Sequence, residues 1–182
     1  ASGSTLAYTE NQTATAINTG ITVTDADNTT LASATVQITA NYQSAEDVLA
    51  FTNGTGMGNI AGVWNSGTGT LALTSAGATA TLAEWQTALR AVTYANSSEN
   101  PSVAARTVSF TVSDGASDSN IVTSTVNVSA INDAPTATIT PASYSATEQV
   151  ALDLKNNGLS IADVDAASGS VTVTLSVTEG TL

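Results

Sequence analysis

Carboxylates are the side chains whose types and spacing here point to chemistry. Asp25 and Asp27 flank Ala26 and run into Asn28, and Asp163 and Asp165 flank Val164 in the same way. Glu46 and Asp47, Asp114 and Asp118 with Asn120, and Asn132 and Asp133 form further acidic turns, and Glu10 and Glu148 each lead a strand. The sequence contains neither His nor Cys. Any metal must then be held by oxygen alone, which selects hard cations, calcium above all, with six to eight carboxylate, amide and carbonyl ligands. An Asp-x-Asp turn sets two carboxylates on one side of a loop, a repulsive arrangement that a divalent ion relieves. The competing account is a solvated turn, because Asp and Asn form turns readily in any setting. The same two absences remove imidazole zinc sites, thiol nucleophiles and a Ser-His-Asp arrangement. A glycosidase-type carboxylate pair would need two acids facing across a cleft. The acids here sit in turns beside Asn and Gly, so no enzyme is expected.

These acids recur in an internal repeat. Thr9-Glu10 through Asp25-Ala26-Asp27 aligns with Thr147-Glu148 through Asp163-Val164-Asp165 at a constant offset of 138 residues, with Asn18 and Gly20 falling on Asn156 and Gly158. After a one-residue slip, Ala34, Val36 and Ile38 fall on Val171, Val173 and Leu175. A complete module over residues 1–133 and the first part of a second, homologous one over 134–182 are expected. Pro135 stops ladder pairing and holds Ala134 extended, so residues 129–136 read as a short, stiff junction.

The elements that position the acids read as strands: residues 13–24, 31–42, 47–52, 59–64, 70–74, 91–94, 106–113 and 121–129. Alternation is clearest at Val108, Phe110 and Val112 and at Val122, Val126 and Val128. One helix is predicted over 82–91, opened by the capping box of Thr81 and Glu84 and presenting Leu82, Trp85 and Leu89 on one face. Trp64 and Trp85 are expected in or near the core. Composition agrees with an all-β chain: more than a quarter of the residues are Ser or Thr, and 42% are hydrophobic. The net charge of −12 repels phosphate and argues against nucleic acid and anionic membranes as partners. No apolar window is long enough to span a bilayer, and the first residues lack a signal-peptide pattern, so an export signal is expected elsewhere.

Ile131-Asn132-Asp133-Ala134-Pro135-Thr136 resembles the inter-module junction of bacterial cadherin-like tandem repeats, found in giant RTX-type adhesins and related surface proteins. Residues 41–49, 85–94 and 106–115 are similar to the same modules. The resemblance implies an Ig/cadherin-like β-sandwich that binds calcium at its junctions, with Asn132, Asp133, Asp163 and Asp165 as ligands and Glu10 and Glu148 as leading acids. Asp25 and Asp27 take the equivalent place in the first module. Ala130 and Ala134 stand where further acids would add ligands, so fewer ions per junction are expected. The expected function is a non-catalytic calcium-binding extender or adhesion segment of a secreted protein at the bacterial cell surface, its partners being neighbouring modules. Two other readings stay open: a glycan- or protein-binding module using Trp64, Tyr42 or Tyr94, and a subunit of a filament or surface layer assembled by strand complementation.

Overall fold

In the computed structural model, which describes residues 3–140, 143–154, 157–167 and 169–176, the chain divides by its internal contacts into residues 1–131 and 132–182. Among the described residues the first unit holds nine strands: β1 (Ser4–Thr9), β2 (Thr15–Ala16), β3 (Ser33–Ala40), β4 (Asp47–Ala50), β5 (Ile60–Asn65), β6 (Thr70–Ser75), β7 (Thr93–Asn96), β8 (Arg106–Ser113) and β9 (Val122–Ser129). Its helix, α1, spans Leu82–Arg90 between β6 and β7. Six strands form one sheet in the order β1-β9-β8-β3-β6-β5, and β2-β7-β4 form a second.

Alternation dictates which face of each strand is buried. On β8, Arg106, Val108 and Phe110 point inward; on β3, Ala34, Val36 and Ile38 do so, Ala34 and Val36 meeting both β8 and β6 across the ladder and Ile38 meeting Val108 of β8. They pack with Leu49 and Tyr94 of the smaller sheet into one core. Tyr8 of β1 meets Tyr94 of β7 edge to face at 5.0 Å between ring centroids, which ties the two sheets together. The first unit is therefore mostly β, two sheets around a shared apolar layer.

The helix forms where the sequence places it. The Thr81 side chain accepts from the Glu84 N–H and the Glu84 carboxylate accepts from the Thr81 N–H, closing the capping box. Trp85, Ala88 and Leu89 are buried at helical spacing, and the Trp85 indole N–H donates to the Leu31 carbonyl at 3.0 Å. Truncating such a ring to Ala costs about 3–5 kcal/mol. Trp64, by contrast, is only half-buried, at the rim of the core beside Tyr42.

The expected strand over 13–24 is corrected: only Thr15–Ala16 pairs there, against β7. A strand that the alternation pattern missed, β1, pairs in parallel with β9. In the second unit, β10 (Thr136–Ile139) pairs antiparallel with β11 (Leu159–Ala162) over four rungs. Val171, Val173 and Leu175, aligned by the repeat with the buried face of β3, are 37%, 46% and 50% exposed.

Candidate metal centre

Glu10 follows directly on β1. Its N–H donates to the Ser129 carbonyl at 2.9 Å, continuing the parallel ladder, so its side chain lies where β9 leaves the sheet. There Oε2 accepts the N–H of Ile131 at 2.7 Å. The residue is 3% exposed, and Oε1 is buried without a hydrogen-bond partner. A Glu99 carboxylate oxygen lies within 4.8 Å of the Glu10 carboxylate, and Glu99 is itself fixed by the Asn11 amide at 2.9 Å.

A carboxylate with an orphaned buried oxygen beside a second carboxylate is unfavourable unless a cation joins them. Among the described residues no basic side chain serves: Arg106 is committed to Asp47 and Glu46, and Arg90 donates to the Ile21 carbonyl. The donor set is hard oxygen, and it can hold a metal ion. Sequence reasoning missed Glu99, because it stands alone in a polar loop, 89 residues from Glu10.

Asp25 and Asp27 belong to a different place. Asp25 Oδ1 accepts the N–H of Asn28 at 2.9 Å and of Asp27 at 3.1 Å, and these two bonds, Asn28 first, hold its carboxyl below the usual carboxylate range. Across a shallow groove lined by Asp25, Asp114, Asp118 and Asn120, Asp114 Oδ2 accepts from the Asn28 amide at 3.0 Å. The Ser117 and Ala116 N–H groups lower the Asp114 pKa, while the charge of Asp25 opposes them. This groove lies at the start of β9 and Glu10 at its end. Eight residues of strand separate them by roughly 26 Å. The structure thus places the leading acid and the Asp-x-Asp turn of one module at opposite ends of it.

The acidic turn at Glu46 and Asp47 is not a free ligand set. Asp47 is 1% exposed and takes the Arg106 guanidinium at 3.2 Å, the Tyr94 hydroxyl at 2.6 Å, the Asn96 amide at 2.9 Å and the Gln43 N–H at 2.9 Å. Burial first, and Asp47 second, push the Tyr94 hydroxyl well above its ordinary pKa. Tyr94 is fully buried, which removes it as a sugar platform.

In the second unit the Asp-x-Asp turn repeats the first. Asp163 Oδ1 accepts from Asp165 at 3.3 Å and from Ala166 at 3.0 Å, the same two positions that Asp25 serves. Asp165 Oδ2 accepts the Asp133 N–H at 3.0 Å, which ties the linker acid to this turn. Asn132 is exposed and donates to the Asp133 carbonyl at 2.7 Å, and Glu148 is exposed.

No protein-family model matches the chain, and neither a curated protein nor a solved structure matches it.

Proposed function

We propose that the chain is a non-catalytic, calcium-binding extender or adhesion segment of a large secreted bacterial surface protein, built of cadherin-like modules whose junctions calcium stiffens. The observation that supports this best is Glu10, a buried carboxylate with an orphaned oxygen, paired with Glu99 and, among the described residues, supplied with no basic partner. Ile131, which donates to Glu10, stands two residues before Asp133. In this reading Asn132 and Asp133, with the Asp163–Asp165 turn, are junction ligands of the second unit, and Glu10 with Glu99 is a candidate ligand pair of the first. Asp25 and Asp27 would serve a further junction at the opposite end of the first unit.

Calcium titrated into the chain by calorimetry should bind with a dissociation constant of about 10⁻⁴ to 10⁻³ M, the range of extracellular modules. At about 100 times that concentration, linkage adds about 2.7 kcal/mol per site to the state that gathers the ligands. Small-angle scattering should then show a narrower spread of dimensions in calcium than in chelator. No heat up to several times the upper constant, with identical scattering in both conditions, rejects the proposal.

A second reading, glycan binding, has one specific support. Tyr42 and Trp64 stand half-buried at the rim, 6.1 Å apart and 85° between ring planes. A glycan array probed with the chain and with Trp64→Ala would detect it.

A further inference from the structure

The first unit carries an edge that its counterpart in the second unit has filled. Residues Ile21–Thr24 correspond, at the offset of 138, to Leu159–Ala162. In the second unit those four residues are β11, paired antiparallel with β10 by Thr136↔Ala162, Ala137↔Ile161, Thr138↔Ser160 and Ile139↔Leu159. In the first unit Ile21–Thr24 belong to no strand.

Their hydrogen bonds nevertheless have the form of a strand edge. The Val23 N–H donates to the Gln86 side chain at 3.4 Å, and the Ile21 carbonyl accepts from Arg90 at 2.9 Å, both on α1. Backbone groups of alternate residues point to opposite sides of an extended chain. Residues 21 and 23 therefore spend theirs on the helix, and the N–H and C=O of Thr22 and Thr24 face the other way. Among the described residues these groups have no partner. Burial alternates with the same period: Ile21 buried, Thr22 exposed, Val23 half-buried, Thr24 exposed. A groove runs alongside, walled by this segment and by Phe110, Val112, Asn120 and Val122.

We propose that this groove is a strand-acceptor site, and that its occupant is the linker strand of another repeat, an extended segment of the Asn132–Ile139 type that enters antiparallel to Ile21–Thr24. Two features of the second unit specify the chemistry. Asp133, three residues before β10, donates its N–H to Asp165, and Asp27 is the aligned residue. Gly158 opens β11 at φ +93°, and a Cβ there would come within 1.5 Å of the Thr140 carbonyl; Gly20 holds the aligned position. The site thus asks for a backbone N–H, three residues before the strand, to donate to the Asp27 carboxylate as that of Asp133 does to Asp165, a proline that enforces extension, and small alternating residues behind it. A second copy of this chain is a poor donor, because its Thr136–Ile139 would have to give up four rungs to gain four. Such backbone pairing requires no metal ion.

The test grafts residues 131–138 directly before Ala1 of the full chain, so that Ala1 takes the place of Ile139. Amide exchange at Thr22 and Thr24 should slow by about tenfold or more relative to the ungrafted chain, in calcium and in chelator alike. A graft of the same residues in scrambled order should leave exchange unchanged. A free peptide of residues 131–139 should shift the amide resonances of Thr22, Thr24, Val112 and Asn120 saturably. Unprotected Thr22 and Thr24 in the grafted chain overturn the proposal. Equal protection by the scrambled graft also overturns it, as does protection in the ungrafted chain that disappears on dilution, which would assign the groove to a second copy.

Discussion

The Arg106 guanidinium and the Asp47 carboxylate meet at 3.2 Å with both side chains wholly excluded from solvent. They join β8 of the large sheet to β4 of the small one, and Tyr94 and Asn96 of β7 fill two more of the Asp47 lone pairs. Removing one partner strands a buried charge, which costs about 3–5 kcal/mol. Asp47→Ala should therefore lower stability by that amount in urea unfolding. Arg106→Met combined with Asp47→Leu should recover a large part of it. Equal losses in the single and double variants would show that packing, not charge, dominates the site.

Glu10→Gln separates a metal ligand from a structural acid by the sign of its effects. Replacing a buried carboxylate that has an orphaned oxygen removes an uncompensated charge, so the calcium-free chain should be as stable as the parent or more so. Calcium affinity should fall about tenfold, which is about 1.4 kcal/mol. Melting temperatures with and without calcium measure both. A calcium-free chain clearly destabilised by the change, with calcium affinity untouched, would make Glu10 a purely structural residue.

The two acidic turns of the groove should resist acid. Backbone N–H groups hold the carboxyls of Asp25 and of Asp114 below the usual carboxylate range. A depressed folded-state pKa contributes stability that is fully present above the unfolded value and is lost as pH falls through the folded one. The turn hydrogen bonds should persist as pH falls through the usual carboxylate range and fail only below it. Carboxyl chemical shifts followed by pH titration check this, and midpoints within or above the usual carboxylate range for both residues contradict it.

The two tryptophans should respond differently to an aqueous quencher. Trp85 is fully buried with its indole N–H bonded to Leu31, whereas Trp64 is half-buried. Acrylamide should quench one emission component well and leave a second protected, and Trp85→Phe should remove the protected one. Uniform quenching in the parent chain would be incompatible with the core placement of Trp85.

What could be read in advance followed the strength of local signals. Alternation at Val108 and Phe110, and the capping box ahead of Trp85, have physical causes within a few residues, and β8 and α1 stand where those causes put them. The segment 13–24 alternates well, yet alternation records only which face is apolar. Whether a ladder forms depends on a neighbouring strand, and among the described residues there is none beside Ile21–Thr24. β1 was missed because its pairing with β9 lies 120 residues away in the sequence. The Asp47 and Arg106 pair hid as a turn acid and a lone base. One signal was present: Arg106 leads the inward positions later taken by Val108 and Phe110, and a base in an apolar row calls for a buried acid. For Glu99 no local pattern existed, since its relation to Glu10 is made only by the fold.

The parallel pairing of β1 with β9 also decides how the first unit would bear tension. The ladder has six rungs, from Ser4↔Ser124 to Thr9↔Ser129. A pull applied through the chain reaches β1 at Ser4 and β9 at Ser129, opposite ends of the same ladder. The two strands are then drawn past each other along their length, as in a lap joint, and every rung shares the load. An antiparallel pair loaded at one shared end would instead peel open one rung at a time. Forced unfolding is governed by the rate of crossing its barrier and not by equilibrium stability. The strand register alone therefore gives this unit a mechanical strength that its modest apolar core would not suggest.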